Sequence, residues 1–440
     1  MGTIIMVAQL LLGLSILVGL HEMGHFLAAK AFGMRVEKFS IGFPPKIWAR
    51  KFGETEYSFG AIPLGGFVKI TGMVDESLDV KSLESKPQPW EFRAKPAWQR
   101  LIVMLGGIFV NIITGLLIFS CIKFIYGDVY ISKEVLNIDG IYATDLGESV
   151  GLKTGDKILA LNGEDYQRFS DLIGVDAILG DSLSYTIERN GIESTVIIPD
   201  GFINRLSDKG QKKDFIGYRT KFRIGKVPKE SHNYDILLPD DSFLKVNDQD
   251  VEFFDEFATV LGENKNNVVQ AVVNRGGQEI TLEVGINKDG KMLFHPELLI
   301  ETKKEYFSFL QSIGLGTIEA FSVISTQIKA FGKIFTGKLD ASKSIQGPVG
   351  IAQMFGNTWD WSRFWGLLGL LSMVLAFMNL LPIPALDGGH VVFLSYEMIS
   401  GHKPNDKFLE NAQKAGMVII LCLLVFAFYN DIANAISRSF

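Results

Sequence analysis

Four stretches of the chain lack the alternation of polar and apolar positions that a water-facing element needs. Thr3 to Leu20 is uncharged, and its helical pattern continues to about Ala31. Leu101 to Tyr126 is apolar apart from Asn111 and Lys123, and both Phe364 to Leu381 and Ala415 to Tyr429 carry no charge. At ~1.5 Å per residue each is long enough, or nearly so, to cross a hydrocarbon layer about 30 Å thick. The pattern predicts four transmembrane helices, within residues 1–33, 101–126, 360–389 and 415–435. Tyr306 to Ile324 has only Glu319 as a charge and competes as a fifth. Its continuation sets Phe321, Ile324, Ile328, Phe331 and Phe335 on one stripe, with Lys329 and Lys333 off it. Such a stripe suits an amphipathic juxtamembrane helix lying on the membrane surface within residues 301–345.

Between the spans the pattern changes to that of soluble protein. Residues 34–100 hold short apolar runs punctuated by glycine, VEKFSIGFPPKIWARKF and ETEYSFGAIPLGGFVKITG, and read as strands. The long segment after Tyr126 contains a weak repeat. ILALNGEDYQRFSDL (Ile158 to Leu172) aligns with FLKVNDQDVEFFDEF (Phe243 to Phe257), and ERNG at Glu188 and NRGG at Asn274 follow. Each copy reads strand, turn, strand, helix and hairpin, dividing the segment into residues 127–222 and 223–300. The predicted fold class is thus a polytopic α-helical membrane protein with a β region between its first two spans, a cytoplasmic β-subdomain or a membrane-associated β-hairpin, and two α+β domains outside.

Charge gives the orientation. Residues 34–100 carry eleven Lys and Arg, the loop at 390–414 adds Lys403, Lys407 and Lys414, and the tails hold only Arg438. The positive-inside rule makes both loops cytoplasmic and puts both termini and the long middle segment outside. The amino-terminal run lacks a basic start and a small-residue cleavage site, so it reads as a retained span. A formal net charge of −6 argues against a nucleic-acid partner. Cys121 and Cys422 both lie in apolar runs and build no disulfide framework.

The chemistry enters at HEMGH. His21 and His25 are four residues apart and share a helix face, so both imidazoles can reach one ion. Glu22 stands beside them as a general base for water at that ion. Two histidines with a carboxylate and an open position suit Zn2+. Ionisable groups in a membrane helix are expensive and are kept where they have a role. Spans one and three run in the same direction, which brings Asp387 of NLLPIPALDGGH to the depth of His21. Pro382 and Pro384 end regular helix just before it. Asp387 is the preferred third ligand, because a carboxylate also offsets the ion's charge, and His390 is its rival. Asn111, in a run opened by Gly106 and Gly107, reads as a packing residue.

HEMGH, GGIFVN and NLLPIPALDGGH together resemble the site-2 proteases, the intramembrane zinc metalloproteases. The resemblance covers nearly the whole chain, and HExxH combined with LDG is its specific part. The layout is similar to the bacterial branch with two periplasmic PDZ domains, which cleaves membrane-bound anti-sigma factors after a first cut by another protease. It implies His21, His25 and Asp387 as metal ligands and Glu22 as catalytic base. It implies substrate contacts at Asn379 and Pro382, and at Gly60, Gly65 and Gly66 in a β region that re-enters the membrane and offers an edge to an unwound substrate. The repeated outer domains would be the PDZ pair, although Leu238-Pro239-Asp240-Asp241 departs from the Gly151 to Asp156 phrase of the first copy. Implied partners are single-span membrane proteins, anti-sigma factors or remnant signal peptides among them, and the lipid bilayer. The implied location is the bacterial inner membrane. Two other classes remain: a membrane-anchored adaptor with a degenerate site, and a metal transporter using the same ligands. Neither explains four intact site residues in spans that are otherwise nearly free of polar groups.

Overall fold

The computed structural model describes residues 2–73, 86–180, 182–206 and 215–437. Its contacts divide the chain into two compact units, one running up to Asp128 and resuming at Tyr306, the other comprising Val129–Glu305.

The first unit is built on helices α1 (Gly2–Ala31), α2 (Ala97–Tyr126), α3 (Phe309–Phe335), α4 (Pro348–Phe355), α5 (Trp361–Leu380), α6 (Asp387–Ser400) and α7 (Asp406–Ser437). Four stretches, Gly2–Ala31, Ala97–Tyr126, Trp361–Leu380 and Lys407–Ala433, are long and apolar enough to cross a membrane. The protein is a multi-pass membrane protein. Helix α2 starts four residues before the predicted Leu101, directly after Pro96, and α7 starts nine residues before Ala415. A helical ladder does not need apolar side chains, so hydropathy marks the buried part of a helix and not its start. The loop after the third span also contains a helix, α6.

Spans one and two approach closely because glycine faces glycine. A Cβ on Gly24 would stand 2.2 Å from the Gly106 carbonyl oxygen, and one on Gly106 2.6 Å from that of Gly24. Leu10, Leu17, Phe355, Phe364 and Leu368 form a core between α1, α4 and α5.

Helix α3 occupies the stretch read as an amphipathic juxtamembrane helix, and it packs against the spans. Phe309 meets Phe124 edge-on at 5.9 Å, Ala320 packs with Phe119 and Met373, and Phe331 reaches Phe377 of α5 at 5.5 Å. It therefore runs antiparallel along α2. Small residues permit this: a Cβ on Gly316 would be 2.4 Å from the Ser120 nitrogen. Its one acid, Glu319, is neutralised by Lys123 of α2 at 2.9 Å. The chain then turns back, and the N–H groups of Gly347 and Val349 donate to Asp431 of α7 at 3.1 and 2.8 Å. Helix α5 runs beside α1 in the same direction, Gly13 lying against Leu368 and His21 near Asn379.

The β region of this unit is a long antiparallel pair, β1 (Val36–Phe52) and β2 (Thr55–Ile70), folded on itself. Residues 36–41 pair with 66–70, as in Val36 with Ile70 and Phe39 with Val68. They pair also with 56–59, as in Phe39 with Tyr57. Residues 46–52 pair with the far side of 55–60. The result is four strand segments in a row, with 66–70 at one edge.

The second unit has two hydrophobic cores. One gathers Leu136, Ile158, Leu172, Tyr185, Ile187 and Phe215, the other Phe222, Phe243, Val246, Phe257, Ala271 and Val284. The repeated segments occupy matching places. Residues 157–161 pair with 183–189, which pair with 192–198, and residues 242–246 pair with 268–275, which pair with 278–285. Phe222, expected at the end of the first domain, packs into the second core.

Candidate metal centre

His21 and His25 project from one face of α1, their ring centroids 4.8 Å apart and both side chains buried. The helix ends and turns around Asp387 as the prolines require: α5 stops at Leu380, and α6 begins at Asp387 itself. Between them Ala385 adopts φ +80°, a left-handed conformation that a Cβ disfavours. Gly388 and Gly389 press against backbone, since a Cβ on Gly388 would meet the Leu381 oxygen at 2.2 Å. This packing aims the first residue of α6 back at α1. Asp387 has no capping role here, because Leu386 occupies the N-cap.

The three groups form a triangle. His21 Nε2 and His25 Nε2 are 3.2 Å apart, and Asp387 Oδ2 lies 3.2 Å from the first and 3.3 Å from the second. Zn2+ with bonds of about 2.0–2.1 Å in tetrahedral array spaces its ligands roughly 3.3 Å apart, so the triangle fits that ion. Asp387 Oδ2 is buried and has no hydrogen-bond partner among the described residues, which a cation would supply. On the far side of its ring, His25 Nδ1 donates to the Val103 carbonyl at 2.8 Å. That bond leaves Nε2 as the free lone pair.

A cavity of about 510 Å³ opens beside this triangle. Its wall includes Glu22, Gly66, Phe67, Val68, Asn379 and His390. A backbone hydrogen bond from Val68 reaches Glu22, and the Glu22 side chain lies under Gly66, where a Cβ would meet its Cγ at 3.3 Å. Asn379 Nδ2 is 3.2 Å from His21 Nε2. His390, the rival ligand, lines the cavity but stands outside the three-residue cluster.

Of the expected substrate contacts, Gly60, Gly65 and Pro382 are not part of the wall of this cavity. Pro382 is exposed and absent from the cavity wall. Gly60 and Gly65 pack against Phe43, within 2.2 Å of its carbonyl oxygen and 2.3 Å of its ring for an added Cβ. A side chain at either position would collide with the neighbouring β segment. Sequence reasoning missed one neighbour, Asn111, whose side chain is 3.1 Å from His21 Nδ1. The available signal was a lone amide in an apolar span, where unsatisfied polar groups are costly.

Two imidazoles and a carboxylate around one point, a further carboxylate beside them, and a cavity at the end of apolar helices define a membrane metallohydrolase. Residues 9–423 match peptidase family M50, the site-2 protease family, and the chain belongs to it. Similar proteins extend over nearly the same length. A Fusobacterium nucleatum protein with a provisional designation as zinc metalloprotease is 28% identical, covering 97% of this chain and 98% of its own. The Regulator of sigma E protease of Haemophilus influenzae is 29% identical over 96% and 97%. The metalloprotease MmpA of Caulobacter vibrioides is 26% identical over 98% and 96%. The chain is accordingly a zinc metalloendopeptidase, and its cofactor is Zn2+.

Proposed function

We propose that the protein hydrolyses peptide bonds within or near the transmembrane segments of single-span membrane proteins, anti-sigma factors being the first candidates. His21, His25 and Asp387 hold the zinc, and Glu22 is the catalytic base. The observation that carries this reading is the ligand triangle at the end of α1, whose edges match those of a tetrahedral zinc site.

Zinc supplies Lewis acidity and a water acidic enough to lose a proton near neutral pH. With the ion bound, Glu22 would accept a proton from the attacking water and pass it to the leaving amine. Segment 66–70 pairs on one side with 36–41 and on the other borders the cavity, so an unwound substrate adds there as a further strand. The strand addition satisfies peptide groups that unwinding would leave bare in lipid. Asn379 hydrogen-bonds the substrate chain beside the reacting carbonyl. The name of the Haemophilus influenzae relative supports an anti-sigma-factor substrate. In the bacterial inner membrane, with both termini and residues 129–305 outside, the two outer modules act as PDZ domains that admit substrates already shortened by another protease.

The test uses the full chain in nanodiscs with a single-span anti-sigma-factor segment, intact or truncated on its outer side. The reading requires one zinc per chain and cleavage of the truncated form that is lost in Glu22→Gln. Undiminished turnover by that variant would refute it.

A further inference from the structure

Asn111 has no part in the reading above, yet it is fully buried in a span of otherwise apolar character. Its backbone is anchored: Ser372 Oγ of α5 donates to the Asn111 carbonyl at 2.8 Å. Among the described residues its side chain does not bridge to another helix's backbone, as buried amides in membranes commonly do. It ends 3.1 Å from Nδ1 of His21, on the side of the ring away from Asp387.

The two histidines therefore differ in what stands behind them. His25 has a backbone carbonyl, which can only accept, so its proton is fixed on Nδ1. His21 has an amide, which can accept or donate according to which way it is turned. With Nδ2 toward the ring, Oδ1 is left buried without a hydrogen-bond partner among the described residues. A half-turn about the last torsion exchanges two atoms of nearly equal size and brings Oδ1 to Nδ1. The orphaned oxygen then accepts a proton, and His21 presents a lone pair at Nε2. Gly107, one turn earlier on α2, presses against the same rings. A Cβ there would lie 2.6 Å from His21 Cε1 and 2.8 Å from its Nδ1. Gly107 thus lets the ring sit close against α2, beside Asn111.

We infer that Asn111 is a positioning residue, its side-chain oxygen holding the His21 proton on Nδ1 so that Nε2 faces the metal. The inference rests on the ligand set proposed above. Such outer partners fix the tautomer and raise the basicity of the ligand.

The test measures Zn2+ affinity of the full chain in nanodiscs, stripped of metal and titrated against a competing chelator. Visible absorption of the Co2+-loaded protein is recorded alongside. Asn111→Leu keeps the size and removes the acceptor. It should weaken zinc binding roughly 10–100-fold and shift the Co2+ bands. Asn111→Asp keeps the acceptor and should bind within a few-fold of the parent. Parental affinity and spectrum in Asn111→Leu overturn the inference, as does a loss in Asn111→Asp equal to that in Asn111→Leu. If the leucine variant does not fold, Asn111→Ala replaces it with the same two outcomes. An unmutated chain that takes up no zinc, or an Asp387→Ala variant of unchanged affinity, would defeat the ligand assignment itself.

Discussion

At the scale of residues, the site is a problem of lone pairs. Two imidazoles, each with two nitrogens, must turn one unprotonated nitrogen toward the same point. On the ring of His25 the Val103 carbonyl settles the matter. A carboxylate between them, at 3.2 and 3.3 Å, would give the proposed zinc a third ligand, a set that suits a site with one open position. Two outcomes follow from the proposed roles. Glu22→Gln should retain zinc while its cleavage rate drops about 10²–10⁴-fold, measured by metal analysis and substrate turnover together. Asp387→Ala should lose zinc affinity by more than the roughly 10–100-fold typical of an outer partner, because it removes a direct ligand. Metal analysis after dialysis against a weak chelator checks it.

At the scale of elements, small residues govern how near the chemistry-bearing helices come. Gly107 fills a place where a Cβ would stand 2.5 Å from His25 Nε2. Gly107→Ala should therefore displace both rings and lower cleavage on the order of 10²-fold, with zinc affinity falling alongside. Cleavage falling with undisturbed zinc affinity would argue against this cause. The outer repeat shows a different economy. Arg189 grips Asp156 through Nε and Nη2 at 2.7 and 2.8 Å, and Arg275 grips Asp241 at 2.8 and 2.7 Å. Each aspartate also accepts from a backbone N–H three residues earlier, at Lys153 and at Leu238. The second copy departs from the first in sequence yet keeps the same buried fork. Asp241→Ala removes the buried carboxylate that pairs with Arg275, a change worth roughly 3–5 kcal/mol where both partners are fully buried. The effect should be smaller here, since the Arg275 side chain is 28% exposed. Calorimetry should show unfolding of the outer unit shifted downward while zinc content stays at the parental level.

At the scale of the whole molecule, the proposed zinc ties α1 to α6, two elements more than 350 residues apart in the chain. Binding that closes such a connection stabilises the unit that holds it. At free zinc about 1,000-fold above its dissociation constant the gain is about 4 kcal/mol. Chelation should lower the unfolding temperature of the membrane unit and leave that of Val129–Glu305 in place. A shift of both transitions together would contradict the assignment of the metal to one unit.

Much of this protein was legible along the chain because membranes impose a simple rule. Uninterrupted apolar runs must be helices, since lipid offers the backbone no partner. The same rule made HEMGH conspicuous, and i,i+4 spacing alone put His21 and His25 on one face. Parity of the spans carried Asp387 to the same depth as His21 but gave no distance. What only the tertiary structure decided was contact between elements remote in sequence. It showed α3 packed along α2, Gly60 and Gly65 against Phe43, and Asn111 behind His21. Periodicity reports which face of an element is apolar. It does not report which neighbour that face meets, because the neighbour is chosen by shape, by the small residues that allow close approach and by single hydrogen bonds.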